Sequence, residues 1–396
     1  MVFGLTEMKE GVYWVGAVDW NIRSFHGYIT NRGTTYNAYL LVDDKITLVD
    51  TVKSPFFLEM LDRIRKIVDP SEVDFLISNH TEPDHSGAIR AFLAVAENAE
   101  LIASEPGLKE LKRYYGEDLK CTTITEKPSI DIGNRTLRFM PVPMVHWPDS
   151  MVTYVPEDKL LFSNDAFGQH LATSKRFDDE VDQAILFQEA KTYYANIVMH
   201  LWRPIGKALA ALGGAEIGMI APSHGVIWRS GPGKIIETYS RWVEGVSEPK
   251  VVIVYDTMWG STERIANALL EGVASEGIEV KMHRLSSSHN SEVITDVLDA
   301  RAVLIGSPTL NNGLFPSVAS FLTYLKGLRP RQKVGAFFGS HGWGGGAKQE
   351  AEALIQASGL ELVESDLDFN LRPNESELRK AVDFGKKIST KISGNP

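Results

Sequence analysis

Short apolar segments separated by polar turns fill the first part of the chain, up to a polar stretch at 246–250. Apolar runs of roughly four to eight residues are typical of strands, whereas apolar residues three or four positions apart indicate helices. The pattern predicts strands on both sides of the turn Asp43-Asp44. Paired strands with helices outside them indicate a layered αββα sandwich. Further strands are predicted at 73–78, 101–103, 136–139, 151–155, 160–162 and 217–220, and helices at 54–67, 87–96 and 182–212.

The pattern changes after 246–250, a short polar stretch that contains Pro249. Beyond it, apolar strands are predicted at 250–255, 302–305 and 333–338, and each is followed by a loop and then a helix. Apolar strands without alternation are typical of a parallel sheet covered on both faces, so this part is predicted to be a doubly wound α/β domain. We therefore predict two domains, 1–248 and 249–396.

Composition and charge narrow the class of protein. Hydrophobic residues make up 43% of the chain and charged residues 23%, which is ordinary for a soluble globular protein. The formal net charge is −10 and no basic block stands out, which argues against nucleic-acid binding. The single cysteine, Cys121, excludes an internal disulfide and an internal cysteine-ligated iron centre. We find neither a signal peptide nor an apolar run of the ~20 residues that span a bilayer, so we expect a cytoplasmic protein without membrane contact.

The segment His80-Thr81-Glu82-Pro83-Asp84-His85 carries four potential metal ligands in six positions, directly after a predicted strand. Imidazole nitrogens combined with carboxylate oxygens suit iron, zinc or manganese. Ionisable groups this close destabilise one another unless a cation binds them. Three further candidates, His146, Asp165 and His224, also follow predicted strands, so all of them can meet at one edge of the sandwich. Together these side chains are enough for two metal ions that share a carboxylate.

Three loops in the second part follow the carboxyl ends of predicted strands, where doubly wound sheets bind their ligands. The first, 256–262, offers hydroxyls and helix N-terminal N–H groups that suit a phosphate dianion. The loops at 307–313 and 339–346 contain glycines that let the backbone approach a planar ring, and Trp343 can stack near it. No dinucleotide-type glycine fingerprint follows the first strand, so FMN is predicted rather than NAD. The candidate FMN-binding residues are Thr257, Met258, Trp259, Gly260, Ser261, Thr262, Ser307, Pro308, Thr309, Leu310, Asn311, Asn312, Gly313, Ser340, Gly342, Trp343 and Gly344.

The motif at 80–85 resembles the His-x-His-x-Asp-His core of the metallo-β-lactamase superfamily, except that position 82 is Glu rather than His. This exchange, together with a second half whose loop at 256–262 resembles the phosphate loop of flavodoxins, is similar to the flavodiiron proteins. The resemblance extends from Trp14 through the C-terminal part and includes Phe25-His26-Gly27 and the segment 33–39. It implies a metallo-β-lactamase-like αββα sandwich followed by a flavodoxin-like doubly wound parallel sheet.

The resemblance also implies a distribution of ligands over two irons. Asp165 is expected to bridge the irons, with a water-derived oxygen as the second bridge. Glu82 makes the site harder and more anionic than an all-histidine zinc site, which favours iron, while zinc stays chemically permitted. The expected ligands are His80, Glu82 and His146 for one iron, and Asp84, His85 and His224 for the other.

Two more residues are expected to line the pocket over the irons by the same resemblance. His26 would supply a proton or a hydrogen bond, and the Tyr194 hydroxyl would orient a bound oxygen species. A packed histidine and a core tyrosine are the alternative interpretations of these two residues.

The family resemblance implies reduction of O2 to water, of NO to N2O, or of both. Two ferrous irons and a reduced FMN hold the four electrons that O2 reduction requires, and coupling two NO molecules requires two. Because Cys121 alone cannot form a rubredoxin site, a separate rubredoxin or a reduced deazaflavin is the expected electron donor. Family members form head-to-tail dimers in which the FMN of one chain faces the irons of the other, so we expect a homodimer or a dimer of dimers.

Two other functions stay open. The first is a two-zinc hydrolase of the lactamase or glyoxalase type that is fused to a flavodoxin module. The second is a non-catalytic electron carrier in which only the flavin works. Metal analysis distinguishes the two-zinc hydrolase from the iron-containing oxidoreductase. If the protein is only a flavin carrier, replacement of Asp84 or His146 by Ala should leave oxygen consumption unchanged.

Overall fold

Strands and helices group into two units in the computed structural model, which describes residues 5–394. The first unit extends to Tyr193 and resumes over Leu201–Ser240, and the second comprises Tyr194–His200 and the chain from Arg241 onward. The division between the units therefore falls shortly before the polar stretch at 246–250. The segment Tyr194–His200, which the pattern assigned to a continuous helix of the first domain, belongs to the second unit.

Two larger sheets and two short strand pairs build the first unit. Its strands are β1 (Thr6–Lys9), β2 (Val12–Trp14), β3 (Ala17–Asp19), β4 (Ser24–Phe25), β5 (Tyr28–Ile29), β6 (Thr34–Tyr36), β7 (Tyr39–Leu41), β8 (Ile46–Val49), β9 (Val73–Ser78), β10 (Glu100–Ala103), β11 (Thr122–Thr123), β12 (Ser129–Asp131), β13 (Thr136–Pro141), β14 (Met151–Val155), β15 (Leu160–Asn164) and β16 (Met219–Pro222). One sheet has the strand order β1-β2-β7-β8-β9-β10-β11, and the other has the order β12-β13-β14-β15-β16. Strand β3 pairs with β6, and β4 pairs with β5.

The two larger sheets share one hydrophobic core. Buried side chains from the first sheet, such as Trp14 and Ile77, cluster with Met151 and Phe162 from the second. The predicted αββα sandwich is therefore confirmed. The helices of this unit are α1 (Phe57–Ile64), α2 (Pro83–Ser86), α3 (Ile89–Leu93), α4 (Glu105–Tyr115), α5 (Gln183–Tyr193), α6 (Trp202–Leu212) and α7 (Pro232–Glu244), which continues into the second unit.

The long helix predicted over 182–212 is interrupted in the structure. Helix α5 ends at Tyr193, a π-helical turn covers Tyr194–Val198, and a 3₁₀ turn precedes α6. A π-helical turn adds a residue to the helical repeat, so the side chains beyond it face a different direction. Other predicted elements differ mainly in their ends, since β15 extends to Asn164 and α3 is shorter than the segment 87–96.

A single parallel sheet organises the second unit. Its elements are β17 (Glu248–Tyr255), α8 (Ser261–Ala274), β18 (Glu279–Arg284), α9 (Asn290–Asp299), β19 (Ala300–Pro308), α10 (Pro316–Leu328), β20 (Val334–His341), α11 (Ala347–Ala357), β21 (Glu361–Leu362), β22 (Asp368–Asn370) and α12 (Glu375–Ser393). The strand order is β18-β17-β19-β20-β21, with β22 also paired to β20, and every pairing is parallel. This is the flavodoxin-like order, so the predicted doubly wound sheet is confirmed.

The helices also bear on membrane association. Among residues 5–394, no helix is both long and apolar enough to cross a bilayer.

Candidate metal centre and cofactor loops

Parallel strand pairs bring the candidate ligands to one edge of the sandwich. Strands β15 and β16 are parallel neighbours whose last paired residues are Asn164 and Pro222. Asp165 and His224 therefore leave the same edge of the sheet almost side by side. Strand β9 ends at Ser78 and leads directly into the motif at 80–85, and His146 lies in the loop between β13 and β14.

Part of the motif at 80–85 is helical, and no helix was predicted there from the sequence. Pro83 occupies the first turn of α2, where its missing N–H needs no partner. The Ser86 hydroxyl donates a hydrogen bond to the carbonyl oxygen of Thr81 at 2.6 Å, which ties α2 back to the motif. Glu82 precedes the helix while Asp84 and His85 lie within it. Because the backbone changes conformation after Glu82, the Glu82 carboxylate points into one group of ligands, while Asp84 and His85 point into another.

The first ligand group consists of His80, Glu82, His146 and Asp165, whose ligand atoms all lie within 4.8 Å of one another. Glu82 Oε2 is 3.3 Å from the Nε2 atoms of both His80 and His146. Asp165 Oδ2 is 3.0 Å from Nε2 of His146 and 3.5 Å from Nε2 of His80. Two imidazole nitrogens and two carboxylate oxygens thus surround one small space.

The second ligand group consists of Asp84, His85 and His224. Asp84 Oδ2 is 3.1 Å from Nε2 of His224 and 3.4 Å from Nε2 of His85. Asp165 approaches this group with its other oxygen, because Oδ1 is 3.1 Å from Nε2 of His85 and 3.5 Å from Nε2 of His224. One carboxylate therefore contacts both groups, with one oxygen toward each.

Burial and neighbouring charges shift the pKa values of the ligands in opposite directions. Burial alone lowers the pKa of His85, but the carboxylates of Asp84 and Asp165 outweigh it and raise that pKa to about 9. Burial also lowers the pKa of His146, yet Asp165 and Glu82 raise it to about 8. Burial raises the pKa of Asp165, but His85 and His146 hold it well below its usual range. Without a metal ion, protons on the histidines balance the buried carboxylates.

The two groups fit metal ions better than protons. Asp84 Oδ1 is buried and has no hydrogen-bond partner in the described part of the chain, which is costly for a carboxylate oxygen. The donors are imidazole nitrogens and carboxylate oxygens, the set that iron and zinc accept. Asp165 has the geometry of a carboxylate shared between two ions. The residues present therefore fit a binuclear metal centre.

Hydrogen bonds behind the ligands fix how two of the histidines face this centre. His80 Nδ1 lies 3.0 Å from Asp149 Oδ2, and the same oxygen accepts the backbone N–H of Thr81 at 2.7 Å. His224 Nδ1 lies 2.7 Å from the carbonyl oxygen of Thr35. Each Nδ1–H donates away from the centre, so Nε2 is the nitrogen of each ring that is directed toward a metal. Sequence reasoning missed these partners, although Asp149 lies three residues after His146 and an aspartate so close in sequence to a candidate ligand is a usable signal.

The structure places His26 beside the first ligand group. His26 and Gly27 form the turn between β4 and β5, and both have positive φ, at 50° and 83°. His26 Nε2 is 2.5 Å from Glu82 Oε1, and the His26 side chain is 40% exposed. Next to this turn, the hydroxyl of Tyr28 is hydrogen-bonded to Nε2 of His170 at 2.5 Å. Burial and the nearby His224 hold the pKa of His170 well below its ordinary value, so it stays neutral.

Tyr194 is grouped with the second unit, and its expected role over the irons stays a prediction. Its ring lies 4.8 Å from that of Trp242 and burial raises its pKa. The preceding residue, Tyr193, belongs to the first unit, and its ring lies 6.0 Å from that of His224.

Three candidate cofactor loops lie at one edge of the second unit. Strands β17, β19 and β20 are parallel neighbours, so the loops that follow them leave the sheet together. The hydroxyls of Thr262 and Ser340 are 3.0 Å apart and join the first loop to the third. Asn311 and Asn312 both have positive φ and form a tight turn in the second loop. A Cβ on Gly346 would lie 1.9 Å from the carbonyl oxygen of Asn312, so the second and third loops are in contact.

These loops fit a flavin phosphate and ring. Helix α8 starts after Gly260 without any side-chain cap on its first N–H groups, which leaves them available to an anion. The Thr309 hydroxyl is buried and has no hydrogen-bond partner within the described chain. The side chains of Trp259 and Trp343 are almost fully exposed, at 93% and 103%. Exposed indoles beside polar loops are suited to stacking on a planar aromatic ligand.

Comparison with known proteins supports both halves of this description. The family model of the ODP family beta lactamases matches residues 34–225, and the flavodoxin model matches residues 253–385. A nitric oxide reductase of Moorella thermoacetica is 49% identical over 392 residues, which cover 98% of this chain and 98% of that protein. The anaerobic nitric oxide reductase flavorubredoxin of Escherichia coli is 36% identical over 390 residues, which cover 96% of this chain and 81% of that protein.

Solved structures agree with this result. Rubredoxin oxygen:oxidoreductase from Desulfovibrio gigas superposes with a TM-score of 0.95 at 36% identity, over 98% of this chain and 99% of that one. The flavodiiron protein from Giardia intestinalis superposes with a TM-score of 0.94 at 38% identity, over 98% of this chain and 97% of that one. With its beta-lactamase-like unit, its flavodoxin unit and these relatives along nearly its whole length, the chain belongs to the flavodiiron protein family.

Proposed function

We propose that this protein reduces O2, NO or both at a di-iron centre, with electrons from an FMN bound by the loops of the second unit. The observation that carries the proposal is the pair of buried ligand groups with one oxygen of Asp165 toward each. The names of the relatives support both substrates, because the Moorella thermoacetica protein is a nitric oxide reductase and the Desulfovibrio gigas protein is an oxygen oxidoreductase. When bound, the two irons and the FMN would supply up to four electrons.

The protein's own contribution is to hold and neutralise the two irons. Glu82, Asp84 and Asp165 contribute three negative charges, which offset most of the charge of two divalent ions. Oxygen ligands of this kind favour iron, a harder metal than those preferred by sites with only nitrogen and sulfur. The residues proposed to hold the irons are His80, Glu82 and His146 for one, Asp84, His85 and His224 for the other, and Asp165 for both.

His26 is proposed to deliver protons. Its Nε2 contacts Glu82 Oε1, while two fifths of its side chain reaches solvent. Reduction of O2 to water consumes protons, as does coupling of two NO molecules, so a partly exposed histidine at the centre is suitably placed to relay them. His26 lies in a two-residue turn and has a left-handed backbone conformation, which brings its ring next to Glu82. This conformation costs free energy for any residue other than glycine.

Electron supply and assembly complete the proposal. We propose a rubredoxin or a reduced deazaflavin as the donor, and the flavorubredoxin name of the Escherichia coli relative supports the first. The proposed assembly is a head-to-tail homodimer, or a dimer of such dimers, in which the FMN of one subunit serves the irons of the other. Trp259 and Trp343 are exposed at the cofactor loops, which supports the proposal that these loops contact another subunit.

Mixing the reduced protein with each gas tests the function. Protein loaded with iron and FMN is reduced anaerobically and mixed separately with O2 and with NO. We expect flavin reoxidation together with O2 loss or N2O formation, and the ratio of the two rates gives the preference. An Asp84→Ala variant should keep its FMN and lose both reactions. Two zinc ions with thioester or lactam hydrolysis would contradict the proposal, and unchanged O2 consumption by Asp84→Ala would identify a flavin carrier instead.

Replacing Asp149 tests the hydrogen bond behind His80. An Asp149→Asn variant should bind iron roughly 10- to 100-fold more weakly, because the amide no longer holds the Nδ1–H of His80 in place as a carboxylate does. Competition with a chelator of known affinity measures the change. Asp118→Asn is the matched control, since that side chain is 70% exposed and pairs with Arg90. Equal iron affinity in both variants would show that Asp149 does not orient the ligand.

The raised histidine pKa values predict a pH dependence of metal binding. In the metal-free protein the pKa values of His146 and His85 are about 8 and about 9, so both carry a proton at neutral pH. A metal needs the neutral imidazole, so iron must displace these protons. Anaerobic titration with Fe(II) in weak buffer at about pH 7 should therefore release protons, and the apparent affinity should rise between about pH 7 and about pH 9. An affinity that does not change over this range would contradict the assignment of these histidines as ligands.

A further inference from the structure

A small cavity in the first unit is bounded by strands β14 and β15 and by helix α6. Its free volume is about 20 Å³, room for one molecule about the size of water. The walls are formed mainly by apolar side chains, among them Val152 on β14, Leu161 on β15, and Ile205 and Ala208 on α6. Ala208 and its neighbour Leu209 are half-buried, so the outer end of the cavity lies just beneath the surface of α6.

The few polar groups in the wall already have partners. The Ser163 hydroxyl donates to the carbonyl oxygen of Ala166 at 2.7 Å. The Tyr239 hydroxyl accepts the backbone N–H of Phe167 at 2.9 Å. A buried water needs roughly two to four polar partners, so these walls favour an apolar occupant over water.

The inner end of the cavity lies against the loops that carry two of the ligands. Val145 lines it and directly precedes His146, and Ala166 lines it and directly follows Asp165. Only one peptide link separates the wall from a ligand of the first group on each of these two loops. The cavity is therefore lined both by α6 and by residues next to two ligands of the metal centre.

We propose that this cavity is a binding site for an apolar diatomic gas that passes through it to the metal centre. The identity of the gas, O2 or NO, rests on the proposed function, whereas the affinity for a small apolar particle rests on the walls alone. Both gases are uncharged and poor hydrogen-bond partners, so transfer from water into a dry apolar cavity is favourable. The site would raise the local concentration of a substrate that is dilute in solution.

Xenon tests the site independently of catalysis. Crystals of the complete protein under xenon pressure should show an anomalous peak among Val152, Leu161 and Ile205. A Leu209→Ala variant enlarges the cavity and should increase the occupancy of that peak. Absence of xenon from the cavity in both proteins would overturn the proposal.

Filling the cavity tests the route. An Ala208→Leu variant places extra methyl groups in it, and the second-order rate constant of the reduced protein with its gas should fall about fivefold or more, because entry is obstructed. The rate at saturating gas, the iron content and the FMN content should stay unchanged. Ala211→Leu is the matched control on the exposed side of the same helix.

The two experiments separate the possible failures. A xenon peak with an unchanged second-order rate constant in Ala208→Leu would overturn the role of the cavity as a route. A protein that binds xenon there but reacts with neither gas would overturn the proposed function and leave the cavity's affinity for an apolar gas supported.

Discussion

The shared burial of Glu82, Asp84 and Asp165 with four imidazole rings is the constraint on which the first unit depends. Carboxylates without water are costly unless a positive charge compensates them, and here either protons on the histidines or metal ions can do so. Four strands, β9, β13, β15 and β16, must end at the same edge to bring these groups together. The metal centre is therefore a property of the sandwich as a whole, and the hydrogen bonds of Asp149 and Thr35 extend it one layer outward.

Both units place their chemistry by the same topological rule. In the first unit, Asp165 and His224 follow neighbouring parallel strands, and in the second the three cofactor loops follow β17, β19 and β20. Parallel neighbours end at one edge, so residues far apart in sequence meet without any special local structure. The two sites differ in their means of neutralising charge: the first gathers carboxylates around cations, and the second offers uncapped helix N–H groups to an anion.

The sequence was sufficient to predict the fold class, the doubly wound second half and the metal motif, because these depend on periodicity and on unusual residue types close together. It could not predict α2, since the pattern at 80–86 is too short for a helical repeat and the ligands dominate its composition. The π-helical turn that begins at Tyr194 was also beyond prediction, because it leaves no pattern of apolar residues in the sequence. The carbonyl of Thr35 was also beyond prediction, as a backbone acceptor has no residue signature.

Anomalous diffraction from crystals of the complete protein grown with iron tests the central claim most directly. Data collected on both sides of the iron and the zinc absorption edges would locate each metal and identify it. The account predicts two iron peaks about 3.5–4 Å apart, one beside each ligand group and with Asp165 between them. A single peak, or two peaks that appear at the zinc edge, would contradict it.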